Sequence, residues 1–136
     1  MKVDASLHDE LINVFSYDDS EKGGLVFFRE NKVVAYYLDK KGERNKKYYR
    51  PDINALKEGV MLCAKEKYTE FAFIHSHPPS EMISGADIAW IRSFLYLNDL
   101  DEIKLFLVVD NSMLIYLISE NRCTLIPLHI DKDEVL

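Results

Sequence analysis

Sulfur is scarce in this chain. Two cysteines, Cys63 and Cys123, lie sixty residues apart in a sequence of 136. That pair cannot frame a disulfide-stapled fold and lacks the close spacing of a metal site, so both are expected as buried free thiols acting as small hydrophobes. No apolar run approaches the length of a membrane span, and residues 1–10 lack the apolar core of a signal peptide. The expectation is a protein of the reducing cytoplasm with no membrane partner. Positive charge is not in excess: 17 Lys and Arg against 23 Asp and Glu give a net charge of −6, which argues against nucleic acid as a partner. The longest basic stretch, residues 40–47, contains Glu43 and reads as a solvated hairpin tip. There is no Gly-X-Ser-X-Gly elbow, phosphate loop, Gly-X-Gly-X-X-Gly, repeat or low-complexity tract.

What is present fits a single domain of ordinary globular composition, 48% hydrophobic and 29% charged. Residues 1–5 form a lead-in, and Ser6 is placed to cap a helix carrying Leu7, Leu11, Ile12, Val14 and Phe15 at helical spacing, with Asp9 and Glu10 in its first turn. His8 falls on its exposed side. Residues 25–28 and 33–38 read as a hairpin about Glu30-Asn31, residues 40–45 as a flexible tip and residues 46–50 as a further strand. Pro51-Asp52 opens a second helix whose stripe is Ile53, Leu56, Val60 and Cys63 or Ala64, with Gly59 a mild weakness. A third helix presents Ile88, Ile91, Phe94 and Leu95 and ends at Asn98-Asp99. Residues 103–109, 113–118 and 123–128 then form three consecutive antiparallel strands. The pattern predicts an α+β domain, one curved mixed sheet with three helices packed around it. It spans residues 1–130, followed by an acidic, frayed tail at 131–136.

The chemistry concentrates in residues 71–87, FAFIHSHPPSEMISGAD. A strand through residues 71–77 puts Phe71, Phe73, His75 and His77 on one face and Ala72, Ile74 and Ser76 on the other. Pro78-Pro79 stops it. A helix opening at Ser84-Gly85-Ala86-Asp87 and folding back over the strand end brings a carboxylate near both imidazoles. Two histidines and one carboxylate are a recurrent ligand set for a catalytic zinc, which keeps its fourth position open for water. The run Ser84-X-X-Asp87 is equally a helix capping box, and the two roles are compatible. Glu81, the only acid in the intervening loop, reads as a solvated charge rather than a second ligand, and His129 as structural or superficial.

The sequence His75-Ser76-His77-Pro78, running on through residue 83 to Ser84-X-X-Asp87, resembles the core motif of the JAMM/MPN zinc metalloproteases, specifically a small, single-domain member of prokaryotic type. The interval between His77 and Ser84 is one residue shorter than the family's pattern. The resemblance extends to Glu21-Lys22-Gly23-Gly24 before an apolar strand, where the family places its catalytic glutamate and a following glycine. It implies a JAMM/MPN, cytidine-deaminase-like architecture. It also implies one zinc held by His75, His77 and Asp87, with Glu21 as general base and Ser84 as a hydroxyl for the oxyanion. On the residues alone Glu21 is an exposed turn acid, and for Ser84 capping and oxyanion binding stand even.

The activity so implied is hydrolysis of an amide bond at the tail of a ubiquitin-like protein or peptide, bound extended and adding a strand to a sheet edge. The alternatives are an inactive binding or assembly subunit of the same fold, or a zinc hydrolase acting on a small amide or a peptidoglycan peptide. The sequence leaves the oligomeric state open.

Overall fold

Residues 1–44 and 49–133 are described in a computed structural model. The chain begins with β1 (Lys2–Asp4) and α1 (Ala5–Val14), followed by the hairpin β2 (Gly23–Arg29) and β3 (Lys32–Leu38). A small ribbon, β4 (Glu43–Arg44) with β5 (Tyr49–Arg50), leads into α2 (Ile53–Lys65). Then come β6 (Glu70–Ser76), α3 (Gly85–Leu97), β7 (Glu102–Val109), β8 (Ser112–Ser119), β9 (Cys123–Ile126) and β10 (His129–Asp131). The architecture is α+β: three helices on one curled mixed sheet ordered β10-β1-β3-β2-β6-β7-β8-β9. No helix among the described residues is long and apolar enough to cross a membrane.

The curl follows from connectivity. β9 and β10 occupy opposite edges of the eight-stranded sheet, yet only Pro127 and Leu128 separate them. Three Cα–Cα steps reach about 11 Å, whereas a flat sheet of this order would hold its edges roughly 34 Å apart. The sheet therefore bends until its edges nearly meet. Ile126 and Leu128, at the joint, pack in one cluster with Val3, Val26, Ile74, Phe106, Leu11 of α1 and Phe15 at its C-cap. The other face carries α2 and α3 over Leu25, Phe27, Phe73, Leu105 and Leu107.

β6 lies inside the sheet, antiparallel to β2 and parallel to β7, with α3 as the crossover. Its alternation is the one read from sequence: Ala72 and Ile74 on the α1 side, Phe71 and Phe73 on the α2–α3 side. The hairpin turns are built on positive φ at Glu30 (52°) and Asn31 (65°), and at Asp110 (49°) and Asn111 (60°).

Several local expectations are corrected. α1 starts at Ala5 with Asp4 at its N-cap, so Ser6 lies in the first turn and Asp9 and Glu10 fall beyond it. The Ser6 N–H donates to Asp133 Oδ1 (3.1 Å), an acceptor from far along the chain where a local cap was expected. α2 buries Ala55, Gly59 and Cys63, while Ile53 is 69% and Val60 39% exposed. The small residues face the sheet because Leu25 and Tyr37 already fill that space: a Cβ on Gly59 would stand 2.5 Å from Leu25 Cδ1. Lys41 and Gly42, expected in a flexible tip, donate their N–H groups to Asp39 Oδ1. Residues 45–48 of the expected tip and strand lie outside the described residues. Cys63 is buried, but Cys123 is only half-buried; both are free thiols. The final strand runs to Asp131, which pairs with Asp4, one residue into the expected tail.

The close pairing of β2 with β3 makes a direct prediction. A Cβ on Gly24 would overlap the Tyr37 carbonyl, whereas one on Gly85 meets nothing within 4 Å. Gly24→Ala is expected to lower stability by about 1–3 kcal/mol and Gly85→Ala to change it by under about 0.5 kcal/mol, both read from urea unfolding midpoints.

Candidate metal centre

The site grows from the pairing of β2 with β6, in which Gly23 stands opposite His75. Carried past the strand end, the same register sets Lys22 against Ser76. There the Ser76 N–H donates to the Lys22 carbonyl (3.0 Å) and the Lys22 N–H donates to Ser76 Oγ (2.8 Å). One residue further, Glu21 lies across from His77, with Glu21 Oε1 3.4 Å from His77 Nε2. Residues opposite one another in an antiparallel pair share a face, so backbone pairing brings this carboxylate to the imidazoles. Glu21 is 2% exposed, a buried acid where the isolated residue read as an exposed one.

The loop after β6 closes over the same spot. The His77 N–H extends the β6–β7 ladder to the Val108 carbonyl (3.0 Å). Ser80, at φ 64°, donates its N–H to both carboxylate oxygens of Asp110 (3.0 and 2.9 Å). Held there, the loop turns the Met82 carbonyl to within 2.9 Å of His77 Nδ1. α3 then begins with a complete capping box. The Asp87 N–H donates to Ser84 Oγ (3.1 Å), and the Ser84 N–H donates to Asp87 Oδ2 (3.3 Å). Asp87 Oδ2 also lies 2.9 Å from His77 Nε2 and 3.4 Å from His75 Nε2.

His75, His77 and Asp87 form a group that can hold a metal ion, with one ligand atom from each and all within 4.8 Å of one another. N and O ligands about 2.1 Å from a tetrahedral ion stand about 3.4 Å apart, so small shifts suffice. Two features of the side chains fit a cation. The Met82 carbonyl can only accept, so His77 carries hydrogen on Nδ1, leaving Nε2 to face Asp87 and Glu21; a proton or a cation belongs between them. In addition, Glu21 Oε2 is buried with no hydrogen-bond partner among the described residues, and buried His75 Nε2 has only the long 3.4 Å contact to Asp87 Oδ2, a costly arrangement unless something else satisfies them.

Burial and mutual charge act together on these groups. Burial pushes the Glu21 carboxyl up to about 7, against the pull of His77 and with the help of Asp87 and Glu81. Burial acts on Asp87 in the same sense, but hydrogen bonds and charge from His75 and His77 outweigh it and hold this carboxyl well below the usual range. Burial opposes protonation of His77, yet Asp87, Glu21 and the Met82 carbonyl together raise its pKa. A bound cation would favour the charged carboxylates and the neutral imidazoles instead.

All five positions singled out in the sequence, Glu21, His75, His77, Ser84 and Asp87, line one cavity of about 330 Å³. Glu81 lines it too but is exposed. His129 lies elsewhere, its side chain 70% exposed and 2.8 Å from Asp131, and His8 contacts only its neighbour Asp9 among the contacts described. β6 itself is no sheet edge, being flanked by β2 and β7; among the described residues, β5, which borders the cavity, pairs with β4 alone.

Sequence reasoning missed Tyr49 and the carboxylate that holds it. The Tyr49 ring meets His75 edge-on (6.4 Å between centroids, 85°) and occupies the space a side chain on Gly23 would need. Its hydroxyl donates to Asp39 Oδ2 (2.7 Å), which also accepts from the Asp52 N–H (2.9 Å) at the start of α2. Burial, then that bond, drive the Tyr49 pKa upward. An aspartate after a strand signals a turn, but no local pattern reports its reach to residues 49 and 52.

Elemental analysis checks the triad: about one divalent ion per chain is expected in the wild type and none in His77→Ala, with both proteins folded by circular dichroism. Neither a family model nor a curated protein matches the chain. Among solved structures it is similar to the solution structure of protein DSY2949 from Desulfitobacterium hafniense. The TM-score is 0.73 at 12% identity, covering 97% of this chain and 93% of that one, a likeness of fold alone.

Proposed function

We propose that this protein is a zinc-dependent peptidase or isopeptidase of JAMM/MPN type, hydrolysing an amide bond in the tail of a ubiquitin-like protein or another extended peptide. The observation that supports it best is the unpartnered, buried Glu21 Oε2 beside a triad whose His77 already points Nε2 inward. A structural acid would have its oxygens satisfied, as Asp39 does.

His75, His77 and Asp87 would hold the zinc. When bound, the ion lowers the pKa of water and polarises a carbonyl oxygen as a Lewis acid. Glu21 takes a proton from the attacking water on its free oxygen and returns it to the departing amine. Ser84 Oγ accepts from the Asp87 N–H, which leaves its own hydrogen free to donate to the developing oxyanion. Ser84 thus serves as cap and donor at once. The Met82 carbonyl fixes the His77 ring, and the Ser76–Lys22 bonds fix Glu21. An interval after His77 one residue short of the family's pattern is the feature that would favour an inactive binding module. That loop still closes on His77 through Met82 and on Asp110 through Ser80, which favours a working site.

Glu21→Gln is expected to retain metal while turnover of a ubiquitin-like or peptide amide substrate falls about 10²–10⁴-fold. Ser84→Ala is expected to cost about 10²–10³-fold in kcat. Turnover by Glu21→Gln at the wild-type rate, with metal content verified, would remove Glu21 from this role.

A further inference from the structure

The cavity has two unlike ends. One holds Glu21, His75, His77, Ser84 and Asp87; the other is apolar, lined by Phe73, two residues before His75 on the same face of β6, and Ile91, one turn after Asp87 on α3, together with Trp90 and Leu105. Phe73, Ile91 and Leu105 are buried core residues whose surfaces form the floor, while Trp90 is 40% exposed at the mouth. The indole is fixed in place: it meets Phe73 edge-on (5.0 Å between centroids, 72°) and stacks on Phe94 (6.0 Å, 14°). Asp87 and Trp90 are three residues apart on α3, hence neighbours on one helix face about 4.5 Å along the axis. An extended peptide advances about 3.3 Å per residue. A chain with its amide at the triad therefore sets the side chain of an adjoining residue against the indole.

From this geometry we infer that the apolar end is a side-chain subsite, and that the substrate is a peptide with a leucine-sized or larger apolar residue next to the scissile amide, selected by Trp90. This rests on the proposed peptidase activity and narrows its substrate class. A tail of consecutive glycines would leave the floor formed by Phe73, Ile91 and Leu105 uncovered. A rigid aromatic wall over a fixed floor suits recognition by shape and apolar contact, with the polar groups confined to the reacting end.

Trp90 is the only tryptophan in the chain, so its fluorescence reports occupancy of the subsite independently of catalysis. The experiment titrates zinc-supplemented wild-type protein with two acetylated tetrapeptide amides that differ only in one leucine or glycine, recording Trp90 emission and, separately, cleavage. The expected result is a blue shift with the leucine peptide and an apparent affinity at least about tenfold above that of the glycine peptide. In Trp90→Ala and in the milder Trp90→Phe, the leucine preference in kcat/KM should shrink, most in the alanine variant. Equal affinity for the two peptides, or an indole unmoved by either, overturns the subsite. A leucine-dependent shift without cleavage would keep the subsite and refute the peptidase activity, whereas cleavage favouring glycine would keep the activity and refute the subsite.

Discussion

The antiparallel pairing of β2 with β6 is the constraint on which the site depends. Its register places Gly23 across from His75 and, one step beyond the ladder, Glu21 across from His77. Ser76 secures that extra step by exchanging hydrogen bonds with Lys22 through both its backbone and its hydroxyl. A shift of one residue would turn every side chain of β2 to the opposite face. Glu21 would leave the imidazoles, and Leu25 and Phe27 would leave the core beneath α2. Core and site are thus fixed by one register.

Two buried carboxylates a short distance apart in sequence show what separates structure from chemistry in this fold. Asp39 is fully buried, but its four described bonds, from Lys41, Gly42, Asp52 and Tyr49, satisfy both oxygens. Glu21 is nearly as buried and has an oxygen with no partner. The first kind of burial ties a loop, a helix start and an aromatic wall together. The second leaves a buried acceptor open to a proton or a ligand, at the cost of its lost hydration. Asp87 lies between these cases, shared among the Ser84 N–H and both histidines.

Much of this was legible because short-range rules governed it. Alternation placed Phe73 with His75 and Ile74 opposite; the proline pair ended the strand; Ser84 and Asp87 announced the capping box that the structure contains. The resemblance in the Glu21–Gly24 stretch pointed to a residue that composition alone would have left on the surface. What was not legible depended on partners distant in sequence. The buried face of α2 is set by Leu25 and Tyr37, so its small residues turn inward and Ile53 outward. The acceptor for Ser6 comes from Asp133. Tyr49 reaches His75 only because Gly23, opposite in the ladder, yields the space.

The near-meeting of the sheet's edges also orders events in time. β1 lies between β3 and β10, and Lys2 pairs with His129 at a separation of 127 residues. Such distant pairing makes the seam between β1 and β10 late to settle, because the entropy of closing so long a loop must be overcome before its hydrogen bonds form. The residues of the candidate metal centre, with Glu21, all fall between positions 21 and 87, at or just beyond the ends of β2 and β6 and in the first turn of α3. The contact between Glu21 and His77 spans 56 positions and that between His77 and Asp87 spans 10, so these groups can be brought together on a nascent chain whose outermost seam is still open.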